Sequence, residues 1–327
     1  MFQTDREWKE NLTSLPVEIS SSTFFAPKKI FLALIVSVSY LVLSKFLIGY
    51  KPDQLILVLF FNGLYFYKPV TRRFILGFSI FIIYWIIFDY MKAFPNYAYN
   101  PVNIASLYHF EKELFGISHA NSVLTPNEYF GLHHNTFLDI LSGIFYLCWI
   151  PVPLIYACIL FFKNRRLFFE FSLTFLLANL IGFIGYYVYP AAPPWYVTNY
   201  GFDFISHTPG NTAALSRFDQ LLGVGIFAGL YSKSSNVFAA MPSLHAAYML
   251  LVVFFSFRKG FSKFTVLFLF ITLGIWFTAV YSNHHYIVDV LAGIATAILA
   301  YFLFRFFLKG TKSGKDLVNW LMKITAP

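Results

Sequence analysis

Eight long apolar runs, separated by short polar or proline-bearing breaks, account for most of the chain. They cover residues 30–49, 53–68, 73–91, 136–162, 167–189, 241–257, 263–283 and 286–308. A helix that crosses a bilayer needs about 20 apolar residues, because the hydrocarbon core is that many helical steps thick. The runs therefore predict an all-α, polytopic membrane helix bundle of about eight transmembrane helices. The 53–68 run is short for a span and fits a hairpin with its neighbour. Composition agrees: 12% of the 327 residues are charged, against about 25% in a soluble domain. A mean hydropathy of +0.64 leaves too little polar surface to face water all round. Two stretches, 92–135 and 190–240, lack such runs but keep many aromatics and prolines. They read as ordered structure lying against the membrane surface. No internal repeat, low-complexity tract or soluble second domain is evident.

The net charge of +9 does not point to nucleic acid. The cations sit in short clusters between apolar runs, as in the cytoplasmic loops of membrane proteins. With eight crossings, the side of the N terminus holds Arg6, Lys9, Lys28, Lys29, Lys68, Arg72, Arg73, Lys163, Arg165 and Arg166. It also holds Arg258, Lys259, Lys263, Arg305, Lys309, Lys312, Lys315 and Lys323. The opposite side keeps only Lys45, Lys51, Lys92, Lys112, Arg217 and Lys233. This excess places both termini in the cytoplasm and the other face toward a periplasm, the cell exterior or an organelle lumen. Residues 1–26 are polar and mixed in charge, so no cleavable signal peptide is expected and the first apolar run must serve as its own insertion signal. Cys148 and Cys158 share one apolar run, which speaks against a disulfide and against a zinc site.

All eight histidines fall on the extracytoplasmic side, and three of them stand at helix starts beside acids or capping residues. In Ala240-Met241-Pro242-Ser243-Leu244-His245, Pro-Ser opens an apolar run. That is a helix start, with Ser243 able to cap free N–H groups and His245 in the first turn. The N terminus of a helix suits an anion, because unpaired N–H groups and the helix dipole point at it. In Asn283-His284-His285-Tyr286-Ile287-Val288-Asp289, His285 and Asp289 are four apart and share a helix face. An acid there can accept the imidazole N–H, fix its tautomer and stabilise the charged ring. Acids inside membrane helices are costly and serve function by default. The runs at 241–257 and 263–283 lead out and back, so His245 and His285 can meet at one membrane face.

Two histidines and an aspartate suit phosphoryl transfer. One histidine attacks phosphorus and forms a covalent intermediate; the other protonates the leaving alkoxide and then deprotonates the incoming alcohol. Other readings of the same residues stand beside this one. Each segment alone fits a satisfied interfacial cap. His284, His285 and Asp289 could ligate a metal, although one helix or a distant His245 would then supply every ligand. A buried His–Asp pair also fits the proton relay of a transporter.

Pro242-Ser243-x-His245, followed about 40 residues later by His285-x-x-x-Asp289, resembles the type 2 phosphatidic acid phosphatase (PAP2) superfamily. The match is closer to the fungal-type inositol phosphorylceramide synthases. Phe238–Ala246 looks like their first catalytic segment and Val280–Gly293 like their second. Tyr189–Tyr196 is similar to their proline-rich segment, and Ser216-Arg217-Phe218-Asp219 to their luminal loop. The similarity runs from about residue 130 to 300, and the four segments in order are specific where any one would be weak. The resemblance implies His285 as nucleophile, His245 as acid and base, and Asp289 as the partner of His285. It implies phosphatidylinositol as donor, ceramide as acceptor, diacylglycerol and inositol phosphorylceramide as products, and no metal or other cofactor. It divides the chain into an N-terminal cytoplasmic segment with two accessory spans (1–70), a six-helix PAP2-like catalytic core (71–310) and a basic cytoplasmic tail (311–327).

One departure helps to choose the chemistry. The superfamily's phosphatases carry a Lys…Arg-Pro segment and an Arg six residues before the nucleophile. Here that position is Ala279, and no Lys…Arg-Pro segment occurs near 180–197. A phosphomonoester is nearly a dianion and a phosphodiester a monoanion, so a site short of fixed cations is better matched to the diester. That favours head-group transfer over a lipid phosphate phosphatase of the same fold. Arg217 and Lys233 are candidate substitutes for the missing cations. Ser243, His284, Arg217, Trp195, Tyr196 and Asp139 are the candidate substrate contacts, Asp139 toward the inositol. Trp195 and Tyr196 equally fit an interfacial aromatic belt, and Asp139 a helix cap. The expected protein is thus a bilayer-embedded transferase whose site lies on the extracytoplasmic side, periplasmic in a bacterium or in the Golgi lumen of a eukaryote. No obligate protein partner is evident.

Overall fold

The computed structural model describes residues 26–233, 236–258 and 260–326. Arg6, Lys9 and Lys259, counted above among the cytoplasmic cations, lie outside the described residues. The described residues form two compact units, divided between Ile75 and Leu76. In the first, α1 (Pro27–Ile48) and α2 (Pro52–Tyr67) form a hairpin, each with proline in its first turn, where the missing N–H costs nothing. Gly49, at φ 77°, turns the chain between them. Gln54 locks that turn, donating to the Gly49 carbonyl (3.0 Å) and accepting from the Lys51 amide (3.1 Å). Asn62 joins the two helices through the Ser37 hydroxyl (2.8 Å).

The helix α3 (Pro69–Tyr90) runs from the first unit into the second. Next come α4 (Ala105–Phe115), an antiparallel hairpin of β1 (Ile117–His119) and β2 (Ser122–Leu124) with Ile117 opposite Leu124, and α5 (Pro126–Leu132). Then α6 (Thr136–Leu147), α7 (Pro151–Lys163) and α8 (Arg165–Val188) follow. Short helices α9 (Pro194–Tyr200), α10 (Ser216–Leu222) and α11 (Ile226–Tyr231) precede α12 (Leu244–Phe257), α13 (Lys263–Tyr281), α14 (Ile287–Gly310) and α15 (Lys312–Ile324).

The chain is a multi-pass membrane protein. Among the described residues, six helical segments are long and apolar enough to cross a bilayer: Pro27–Ile48, Pro69–Ala93, Thr136–Lys163, Arg165–Val188, Lys263–Tyr281 and Ile287–Gly310. The other two apolar runs are shorter helices. The 53–68 run is the 16-residue α2, and the 241–257 run is the 14-residue α12. Pro242 and Ser243 hold the start of that second run out of the helix. The 136–162 run bends at Cys148–Ile150, where Pro151 and Pro153 remove backbone donors, so α6 and α7 share one crossing.

At the centre of the second unit stands α12, apolar all round and packed against α7, α8, α13 and α14. Outer faces of the neighbouring helices present Ile184, Val188, Phe302 and Phe306 outward, as lipid-facing positions do. The stretches 92–135 and 190–240 are ordered caps over one end of this bundle. Isolated parallel bridges, Asn103 to Ala191 and Ala191 to Ala239, tie the two stretches together just ahead of α12. The tail is a helix, α15, which buries Val318 and Leu321 and packs against α8 and α14.

Candidate active site

Glycines fix how closely α12 approaches its neighbours. On α8, a Cβ at Gly182 would stand 2.7 Å from the Leu244 side chain, and one at Gly185 would stand 2.8 Å from the Pro242 ring. On α14, a Cβ at Gly293 would fall 2.0 Å from the Ser243 carbonyl oxygen. That contact brings the first turn of α12 against the start of α14, where the Ser243 amide donates to the Asp289 carbonyl (2.9 Å). One peptide hydrogen bond therefore ties the two histidine-bearing segments together.

The second segment is a tight reversal. Asn283 takes the left-handed conformation (φ 66°), and the amides of His284 and His285 both donate to the Ala279 carbonyl (3.2 and 2.9 Å). His285 lies in this loop, two residues before α14 begins, so it does not share a helix face with Asp289 as the spacing suggested. Asp289 instead folds back over the helix start. Its Oδ2 accepts from the Tyr286 amide (2.9 Å) and lies 3.6 Å from His285 Nδ1.

His245 and His285 come together, with His245 Nδ1 3.1 Å from His285 Nε2. Only one proton can lie between these nitrogens. Placed on His245 Nδ1, it makes His285 Nε2 the acceptor, unprotonated, and puts the His285 ring proton on Nδ1, toward Asp289. The Asp289 side chain is fully buried and His285 nearly so. A cavity of about 150 Å³ opens over the pair. Aromatic faces enclose it: Trp149 and Tyr146 lie 4.2 and 4.9 Å from the His245 ring, and Tyr231 stacks on His284 at 4.4 Å. Among the described residues, no lysine or arginine lines it. Ala279 sits in the core against Ala246 and Val290, away from the cavity.

The other candidate residues divide. His284 and Trp195 line the cavity. Burial beside His285 pushes the His284 pKa down to about 3, so the ring is neutral and its Nε2–H donates to the Thr212 carbonyl (2.9 Å). Tyr196 does not line the cavity: it points into the protein, donating to the Asp203 carbonyl (2.6 Å) and accepting from the Ile205 amide (2.9 Å). Ser243 occupies the N-cap position, but its hydroxyl makes no cap bond, and it is buried and does not line the cavity. Arg217 and Asp139 also lie outside the cavity, where they pair with each other (2.8 Å). Asp139 accepts from the Tyr281 hydroxyl as well (2.8 Å), and His134 approaches it at 3.6 Å. An acid inside a membrane helix needs a counter-charge, and here Arg217 supplies it. Arg217→Ala is expected to destabilise the fold by about 3 kcal/mol, since it strands a buried carboxylate. Thermal unfolding in detergent checks this, with the KM of the surviving enzyme unchanged. Lys233 is exposed and does not line the cavity.

Several residues of the site carry no motif. Tyr146, Trp149, Tyr231, Asn211 and Asn236 line the cavity, and Glu111 and Asn127 grip the His285 segment from below. Among the described residues, no group of three or more His, Cys, Asp or Glu side chains is arranged to hold a metal.

Comparison with known proteins places these features in context. The sequence profile of the PAP2 superfamily matches residues 106–303. The chain is 44% identical over 295 residues to the phosphoinositol dihydroceramide synthase of Bacteroides thetaiotaomicron, a match that covers 89% of this chain and 96% of that protein. It is 32% identical over 250 residues to the inositol phosphorylceramide synthase catalytic subunit AUR1 of Saccharomyces cerevisiae, covering 75% of this chain and 59% of that protein. The corresponding subunit of Schizosaccharomyces pombe is 30% identical over 263 residues, covering 77% and 58%. No solved structure matches the chain.

Proposed function

The chain belongs to the PAP2 superfamily, and from that premise we propose that it moves phosphoinositol from phosphatidylinositol to the primary hydroxyl of ceramide or dihydroceramide. The observation that carries this reading is the 3.1 Å His245–His285 contact, with Asp289 behind His285, in an aromatic cavity that no lysine or arginine lines among the described residues.

In the first step His285 Nε2 attacks phosphorus. The bond to the diacylglycerol oxygen breaks, and His245, protonated on both ring nitrogens for this step, gives that oxygen one of its protons and is left neutral. Asp289 holds the Nδ1 proton of His285 and balances the charge on the ring. In the second step His245 takes the proton of the ceramide hydroxyl, whose oxygen attacks phosphorus and releases His285. Aromatic walls keep water from competing at this stage. The phosphoryl group has to enter between the two imidazoles, so the resting contact opens on binding. His284 and Trp195 flank the head group. Residues 71–310 form the catalytic core, with two accessory spans before it and a cytoplasmic tail after it. Both termini lie in the cytoplasm, and the site faces the other side.

The test uses purified protein in liposomes with chelator, phosphatidylinositol and a fluorescent ceramide, resolved by thin-layer chromatography. An inositol-bearing ceramide should form together with an equal amount of diacylglycerol. Phosphate release from phosphatidic acid without that product would replace the reading with a phosphatase. Proton movement with no lipid product would replace it with a transporter.

A further inference from the structure

We infer that Glu111 is a positioning residue for the nucleophile segment: its carboxylate, with the Asn127 amide, clamps the peptide groups around His285 and holds that ring between His245 and Asp289. The inference rests on the transfer reading given above.

Glu111 sits on α4, far from the catalytic segments in sequence, and is fully buried. Its two oxygens accept from the amides of Ile287 (2.9 Å) and Val288 (3.1 Å). Asn127, on α5, donates to the carbonyls of His285 (2.9 Å) and Val280 (2.8 Å). With Asp289 taking the Tyr286 amide, polar side chains hold every peptide group from the His285 carbonyl to the Val288 amide. A helix start needs no such arrangement for its own sake. Water or one local cap satisfies the free amides of most helices. A second carboxylate buried beside Asp289 costs desolvation and like-charge repulsion. That cost is offset where a fixed orientation is worth having, as for a reacting ring that must be held to within about 0.5 Å.

Burial pushes the Glu111 pKa up to about 7, against the pull of its two amide bonds and with a further push from Asp289. Tyr286 and Asp289 of the α14 start face it, and Tyr108, Lys112 and Glu128 form a hydrogen-bonded chain nearby. The ionised carboxylate accepts both amides and suits the helix dipole, so positioning improves as pH rises through about 7. Stability moves the other way. The folded state holds this proton more tightly than the unfolded chain, so the contribution is full below the ordinary carboxylate range and is lost as pH rises through about 7. A residue with a merely structural role would show only the second trend.

The experiment compares wild type, Glu111→Gln, Glu111→Ala and, as control, Glu113→Gln on the exposed face of the same helix. The transfer assay is run from pH 5.5 to 8.5, and amide exchange is followed over residues 284–291. Glutamine keeps one acceptor and loses the charge. It should lower kcat about 10-fold with both KM values within about 2-fold, flatten the acidic limb and speed exchange. Alanine should lose more, and Glu113→Gln nothing; if the alanine variant does not fold, the glutamine variant decides. Wild-type kcat, pH profile and exchange in Glu111→Gln would overturn the proposal, as would a loss confined to KM. If wild type made no inositol-bearing ceramide, the transfer reading would fall, and the exchange rates would still decide whether Glu111 holds the segment.

Discussion

His285→Ala is expected to leave no measurable inositol-bearing ceramide, a fall in kcat of at least about 10⁴-fold, because it removes the nitrogen proposed to take phosphorus covalently. The cavity's other nitrogen bases are His245, whose Nδ1 already faces His285 Nε2, and His284, whose Nε2 is committed to Thr212. With phosphatidylinositol labelled in the head group, wild type should accumulate an acid-labile, base-stable label on His285 when ceramide is withheld. His245→Ala should slow formation of that label by about 10²- to 10⁴-fold without abolishing it, since the leaving group loses its acid but the nucleophile remains. Label that persisted in His285→Ala would move the nucleophile elsewhere and sink the assignment.

A methyl group added to α14 should be nearly as damaging, though it touches no reacting atom. In Gly293→Ala the new Cβ would lie 2.0 Å from the Ser243 carbonyl oxygen and 2.9 Å from its carbon. Both belong to backbone, so no side chain can rotate away. Either α12 or α14 has to shift by more than 1 Å, which strains the Ser243–Asp289 bond and separates His245 from His285. Overpacking of this kind costs about 3 kcal/mol, and a displacement of that size at reacting groups costs about 10²-fold in rate. Gly63→Ala on α2, where a Cβ meets nothing within 4 Å, is the control and should be silent. Thermal unfolding and the transfer assay on both variants check the two halves of the prediction. Full activity in Gly293→Ala would mean that the two helices have slack that the packing does not show.

Much of this architecture is legible in the sequence, and the parts that are not share a cause. Long apolar runs betray membrane helices because lipid tolerates nothing else, and Pro242-Ser243 marks the start of α12 because both residues resist a helix interior. His245, His285 and Asp289 stand out because polar groups at the mouths of apolar helices are costly. Trp149 and Tyr231 do not, since an aromatic ring facing a cavity and one facing lipid read alike in such a chain. Arg217 and Asp139 attract attention for a sound reason, an expensive charge in apolar surroundings. Each answers the other's charge, however, and composition cannot reveal a pairing across 78 positions. Glu111 is hidden differently: beside Lys112 and Glu113 it reads as part of a solvated helix face, and its partners lie 176 and 177 residues away.

Among the described residues, the walls of the aromatic cavity hold no lysine or arginine, and this has a kinetic consequence. An anionic donor meets no fixed cation in those walls, so ionic strength has little to screen at the site. Delivery then depends on lateral diffusion within the leaflet. Turnover should follow the mole fraction of each lipid in the membrane, indifferent to the volume of the surrounding buffer and nearly indifferent to its salt.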